Sequence, residues 1–391
     1  AHPTQKELDA YLESVREKVK GRIVLTGAHV VPPVSFEPRA KRWEDSMVRE
    51  RYSPDLVRKP PVNNPPNPGQ SAQMPEWQVE KQMSMFLVSA GALVRVMNSG
   101  LDAGAILVNE NWWWTPEAVN AVPTVVMRME DYGRITRILA DGTPVELEAE
   151  IENQWYPDGR RAHNVLAELP GADKKEEVVM LGAHLDSLHG GTGAEDDAIG
   201  CAVVMEAMRL LKTIGARPRR TIRVALWGGE EQGMQGSKAY VKQHLGSFET
   251  PKPEAEGFVA YFNVAMGAGR PRGMEMFTAP QAAVDVLREI LKPFADLGVV
   301  GARGNPGRAQ MHSDHGSFNV AGFTAINVWQ DPIVGFGHTN LDTYERIILE
   351  DAQKAATVMA ATVYELANRD ERLPRLSEKE MPAPPPVPQG R

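Results

Sequence analysis

From residue 162 onward the chain alternates short apolar runs with stretches of helical periodicity, and this alternation restricts the available folds more than any other feature. Ala162–Leu169 and Val178–Gly182 read as strands. Ala198–Ile214 reads as a helix with its apolar residues on one face, Thr221–Trp227 as a buried strand and Gly236–Gln243 as the next helix. Strand, helix, strand, helix at this spacing calls for an α/β sheet with helices on both faces. Further strands fit Gly257–Val264, Gly273–Phe277 and Thr324–Trp329, and further helices fit Pro280–Leu297 and Glu350–Ala367.

The first part of the chain has a different pattern. Leu8, Tyr11, Leu12 and Val15 recur at roughly helical spacing, and Arg22–Thr26 is a short strand closed by Gly27. Residues 32–80 are rich in Pro, Asn and charge and read as a long extended excursion. A helix follows from Glu76 to Ala92, then strands at Leu93–Met97, Ala105–Val108 and Val122–Met127. Asp131 is placed to cap a helix running to Leu139, and a polar hairpin leads to a strand over Val145–Ile151. The expected organisation is an N-terminal helix (1–21), a smaller α+β unit (22–158), the α/β unit (159–372) and a Pro-rich, extended or disordered tail (373–391).

Composition excludes several function classes. The 391 residues are 42% hydrophobic and carry a net charge of −8, so a nucleic-acid partner, which requires a basic face, is not expected. No apolar run approaches the ~20 residues that span a bilayer. Cys201 is the sole cysteine, which rules out an intrachain disulfide framework.

In an open α/β sheet, sites form where strands end and loops begin. His184 follows the strand Val178–Gly182, Glu230 and Glu231 follow Thr221–Trp227, and His338 lies in the loop after Thr324–Trp329. Asp196 sits in a tight loop just before a helix. Imidazole nitrogen and carboxylate oxygen are ready zinc ligands, and a pair of zincs needs one bridging carboxylate, for which Asp196 is the choice. Asp186, two residues from His184, suits a carboxylate that holds the imidazole in one tautomer. Adjacent Glu230 and Glu231 point different ways, so one can bind metal while the other handles the proton of the attacking water. Each motif also has a bland reading: Gly-Glu-Glu as a solvated turn, Asp196-Asp197 as a helix cap, His338 as a loop histidine. Their joint placement at successive strand ends favours the metal site.

Gly-Ala-His-Leu-Asp-Ser through Asp196, Ala-Leu-Trp-Gly-Gly-Glu-Glu-Gln-Gly at 225–233 and His-Thr-Asn-Leu-Asp-Thr-Tyr at 338–344 resemble the zinc aminopeptidase and glutamate carboxypeptidase superfamily. The likeness is to its bacterial secreted members with an inserted protease-associated domain. It extends through Asp314–Phe318 to Arg375, and more loosely over 22–150. The resemblance implies a mixed central sheet with helices on both faces and a zinc-dependent exopeptidase acting on a peptide or small amide. It implies His184 on one zinc, Asp196 as the bridge, Glu231 and His338 on the other zinc and Glu230 as general base. It also implies a secreted or periplasmic location, with an oligomer possible.

One position departs from that pattern. The family's remaining ligand is an aspartate after the strand, where this chain reads Asn263-Val264-Ala265. One tight zinc is therefore expected on Asp196, Glu231 and His338, with a second weak or absent. Asn263, Glu195 and Asp197 are the candidate substitutes. The alternatives are a disabled peptidase scaffold serving as a binding protein, and a single-zinc cyclase or acyl-transfer enzyme. Substrate-pocket residues are expected near Trp112–Trp114 and among His312, His315, Gln330 and Asp331.

Overall fold

The computed structural model of the protein describes residues 2–32, 34, 36, 42–52, 73–107, 121–154, 161–188, 190–265, 268–309, 311–331 and 337–385. Two sheets organise these residues. The smaller begins with α1 (Gln5–Val19), β1 (Ile23–Thr26), α2 (Asp45–Arg51) and α3 (Glu76–Ser89), and continues with β2 (Val94–Asn98), β3 (Thr124–Met127) and α4 (Met129–Ala140). Its three strands are parallel, in the order β1-β2-β3.

The larger sheet is built from β4 (Val165–Leu169), β5 (Lys174–His184), α5 (Ile199–Thr213), β6 (Arg220–Trp227), α6 (Gln235–Tyr240), α7 (Pro253–Gly257) and β7 (Phe258–Asn263). It continues through β8 (Pro271–Phe277), α8 (Gln281–Leu291), β9 (Ala302–Asn305), α9 (His315–Ala321), β10 (Ala325–Gln330) and α10 (Leu349–Asn368). Its strand order is β4-β6-β5-β7-β10-β8-β9. β6, β5, β7 and β10 run parallel, whereas β4 is antiparallel to β6 and β8 antiparallel to β10. The sheet is mixed, as the resemblance implied.

The central strands are buried on both faces, which is why they read as continuous apolar runs rather than as alternation. In β5, Val179, Leu181 and Ala183 join α5 and α10 residues such as Val204 and Val363 in one core. Met180, between them, faces the other side and packs with Trp227, Tyr261 and Phe318. β6, β5, β7 and β10 thus deliver their C-terminal ends to one edge of the sheet.

Several expectations are corrected. α1 packs on α3, with Leu8, Leu12 and Val19 in one apolar cluster with Phe86 and Leu87. The excursion over 32–80 contains α2, which packs against the large sheet. Trp43 lies against Trp329, with the Arg51 guanidinium 4.1 Å from the Trp329 ring and 5.1 Å from Trp43. Tyr52 is buried there as well. Ala105–Val108 forms no strand over its described residues; Leu107 makes a single bridge to Thr339. Val145–Ile151 forms no strand and is mostly exposed, with Val145 and Leu147 half-buried. Asp131 lies in the first turn of α4, where its carboxylate accepts from Arg128 rather than capping the helix. The tail is anchored at its start: Leu373 is buried in the main core, and the Arg375 guanidinium donates to the Phe258 carbonyl.

Candidate metal centre

The ends of β5 and β6 and two loops bring four of the predicted ligands together. His184 is the last residue of β5, and Glu231 lies four residues beyond the end of β6. Asp196 sits in an irregular turn over Ala194–Ala198, just before α5. His338 follows β10 in a loop, at φ +62°. That left-handed conformation is strained for a residue with a β-carbon and persists only where its surroundings hold it.

The Asp196 carboxylate lies between the two imidazoles. Its Oδ1 is 3.2 Å from His184 Nε2, and its Oδ2 is 3.0 Å from His338 Nε2. His338 Nε2 is also 3.1 Å from Glu231 Oε2. His184, Asp196 and Glu231 each present a ligand atom within 4.8 Å of the others. The approach is close enough that a β-carbon on Gly337 would lie 3.1 Å from Asp196 Oδ2.

Asp186 does more than expected, and by a different route. The Asp186 carbonyl, not its carboxylate, lies 2.9 Å from His184 Nδ1. A carbonyl only accepts, so Nδ1 carries the proton and Nε2 is the nitrogen turned toward Asp196. The Asp186 carboxylate instead accepts the backbone N–H groups of Glu230 and Glu231, each at 3.0 Å. It thereby sets the peptide that aims both glutamates.

The electrostatics are those of a site shaped for a cation. Hydrogen bonds to Asp196 and Glu231 push His338 up to about 10. Burial works against a charged His184, yet Asp197, Asp196 and Glu230 hold it well above its usual value. Burial alone would raise Asp196, but the two imidazoles hold it far below the carboxylate range. Burial, with help from Asp314, Glu231 and Asp196, pushes Glu230 up to about 8. Protons on the imidazoles thus stand where a metal's charge would go. Glu231 Oε1 is buried with no hydrogen-bond partner, a costly state for a carboxylate oxygen unless a cation completes it. Two imidazoles and two carboxylates are a donor set that zinc accepts. The residues fit the group.

Ala265 follows β7. The β5–β7 register ends where Gly182 pairs with Asn263, two residues before Ala265. Asn263 is fully buried and engaged: it accepts from the Tyr261 hydroxyl at 2.9 Å and donates to Ser313 Oγ at 2.9 Å. Asp197 Oδ2 accepts the His184 backbone N–H at 3.2 Å and stands 3.9 Å from its Nε2. Glu195 is buried and pushed up to about 8 by burial and by Asp342.

The remaining predicted residues are not drawn into the ligand cluster. His312 is exposed, and His315 is buried, held down to about 4 by burial, with Nδ1 3.3 Å from Asn263. Gln330 is buried. Asp331 is enclosed by Arg270 at 2.6 Å, Arg272 at 3.2 Å and Arg42 at 3.3 Å, so its carboxylate serves packing between α2 and the sheet. Trp112–Trp114 lie outside the described residues. A cavity of about 890 Å³ lies at the opposite ends of the strands, lined by Glu177, Val178, Thr221 and Arg372, and contains none of these groups. Asp342 was missed: it accepts the backbone N–H groups of Glu195 and Asp196. Its signal was its place four residues after His338. Cys201 was also unassigned; its thiol lies 3.0 Å from the His184 carbonyl, beneath the ligand.

An α/β sheet that gathers two imidazoles and two carboxylates at its strand ends defines the class of a hydrolase built around a metal. Residues 164–363 match the model of Peptidase family M28, and the chain belongs to that family. It is 26% identical over 339 residues to carboxypeptidase Q from Bos taurus, covering 83% of this chain and 66% of the relative. The chain spans about half to two thirds of the length of the curated relatives it matches most strongly. A crystal structure of a peptidase M28 precursor from Shewanella amazonensis SB2B superposes with a TM-score of 0.59 at 29% identity, over 76% of this chain and 65% of that one. BSAP, a zinc aminopeptidase from Bacillus subtilis, shares the fold with a TM-score of 0.50 at 19% identity, over 76% of this chain and 70% of that one.

Proposed function

We propose that the chain is a zinc-dependent exopeptidase of the aminopeptidase type, cleaving peptide or related amide bonds. The observation that carries this reading is the Asp196 carboxylate set between His184 and His338, with Glu231 on His338 and one buried Glu231 oxygen unpartnered. Asp196, Glu231 and His338 would hold one zinc tightly. His184 and the shared Asp196 would hold a second only weakly, because Ala265 offers no ligand and Asn263 is engaged elsewhere. Bound zinc supplies Lewis-acid polarisation of the scissile carbonyl and makes water acidic enough to ionise near neutral pH.

Glu230 takes a proton from the attacking water as the oxygen bonds to the carbonyl carbon. It then delivers that proton to the amine nitrogen as the C–N bond breaks. Asp186 fixes the Glu230 peptide, so the base does not wander from the water.

The reading includes a protease-associated role for the smaller sheet and a secreted or periplasmic location. No helix among the described residues is long and apolar enough to cross a membrane. Zinc-loaded protein should release amino acids from short peptides, and Glu230→Gln should abolish release while zinc stays bound. Zinc-binding protein that turns over no member of a broad peptide panel would instead support the disabled-scaffold reading that Ala265 motivates.

A further inference from the structure

We propose that Asp342 is a positioning residue that holds the ligand Asp196 in its metal-binding pose, an inference resting on the assignment of Asp196 just made. Asp342 is 2% exposed and stands on the same loop as His338. Its Oδ1 accepts the Glu195 backbone N–H at 2.6 Å, and its Oδ2 accepts the Asp196 backbone N–H at 3.1 Å. One carboxylate therefore grips two consecutive amides of the ligand-bearing turn.

The turn needs that grip. Asp196 has φ −124° and ψ 87°, outside helical geometry, although it sits in a helix-like turn. Regular i→i+4 bonding therefore does not fix its peptide plane. The two loops are closed on each other by further contacts: the Asp342 carbonyl accepts the Thr192 N–H at 2.7 Å and its hydroxyl at 3.1 Å. A β-carbon on Gly191 would come within 2.5 Å of the Asp342 carbonyl oxygen and 2.6 Å of that of Thr339. The His338 loop and the Asp196 loop are thus registered by Asp342, and the 3.0 Å approach of their side chains follows. Asn in place of Asp342 keeps the shape, but it offers a donor where one of the two N–H groups needs an acceptor.

The test compares wild type with Asp342→Asn, Asp342→Ser and Thr192→Val. Thr192→Val removes only the hydroxyl bond to the Asp342 carbonyl. Zinc affinity is read by chelator competition, ligand geometry by the visible spectrum of the cobalt-loaded protein, and folding by circular dichroism without metal. Asp342→Asn should weaken zinc binding by about 10- to 100-fold and shift the cobalt bands while the metal-free protein stays folded. Thr192→Val, which leaves both amide bonds of the Asp342 carboxylate in place, should weaken binding less than Asp342→Asn does. The proposal is overturned if the folded Asp342 variants bind zinc as tightly as wild type, if Thr192→Val weakens binding equally, or if neither Asp342 variant folds. A wild-type protein that takes up no zinc would refute the Asp196 assignment itself.

Discussion

At the residue scale, the proposed chemistry depends on how protons and metal compete for the same atoms. Without metal, His338 is raised to about 10 by Asp196 and Glu231, and His184 is raised as well. Zinc has to displace these protons, so binding should release protons and tighten as pH rises toward about 10. Calorimetry in buffers of different ionisation enthalpy measures that release; uptake independent of pH would contradict it. The same shift acts on stability. A raised histidine value contributes stability that is fully present below its unfolded value of about 6.5 and is lost as pH rises through the folded value. Metal-free protein should therefore lose thermal stability between about pH 6.5 and 10, a loss that bound zinc removes. At Glu230, the Gln variant should cost about 10²- to 10⁴-fold in kcat with zinc content unchanged. Much of this was legible in the sequence, because His184, Glu231 and His338 stand in short motifs after strands. The distribution of Asp186's bonds was not, since a carbonyl oxygen leaves no trace in residue identity. Asp342 went unassigned because an aspartate that binds backbone amides looks in sequence like any loop aspartate.

At the element scale, hydrophobic pattern predicted the strands that form the platform, and it did so because they are buried on both faces. It failed where structure depends on distant partners. α2 lies in a Pro- and charge-rich stretch whose order comes from Trp329, Asp331, Arg272 and Asp351, all more than 200 residues away. β9 is a four-residue edge strand, too short to show periodicity. Asp331 is buried and pairs with Arg42, Arg270 and the fully buried Arg272, so removing it leaves Arg272 only the half-exposed Asp45. Asp331→Ala should destabilise the protein by about 3–5 kcal/mol in denaturant titration. A loss below about 1 kcal/mol, the range of an exposed pair, would show that the cluster does not hold α2 in place.

At the scale of the whole molecule, the segment that follows β2 meets the loop that carries His338. Asn340 accepts the Ile106 N–H at 2.7 Å and donates its backbone N–H to the Ile106 carbonyl at 3.2 Å, while Leu107 bridges Thr339. The strained His338 is therefore supported from both sides, by Asp342 within the large sheet's loops and by residues 104–107. Asn340→Ala should cost about 1–3 kcal/mol by stranding the Ile106 N–H, and should make the His338 loop more open to limited proteolysis. Unchanged proteolysis would mean that residues 104–107 do not brace the loop. The change of pattern after Gly159 led the sequence to be read as a smaller α+β unit followed by an α/β unit. It gave no sign that the units meet at a ligand loop, because that contact is made by backbone groups.

A titration of metal-free protein with zinc, following release of amino acids from short peptides at each addition, tests directly whether one zinc makes this site a peptidase. No turnover is expected at zero zinc, then activity that rises linearly and saturates near one zinc per chain. Activity that requires two equivalents, or binding at one equivalent with no turnover on any peptide, would contradict that reading.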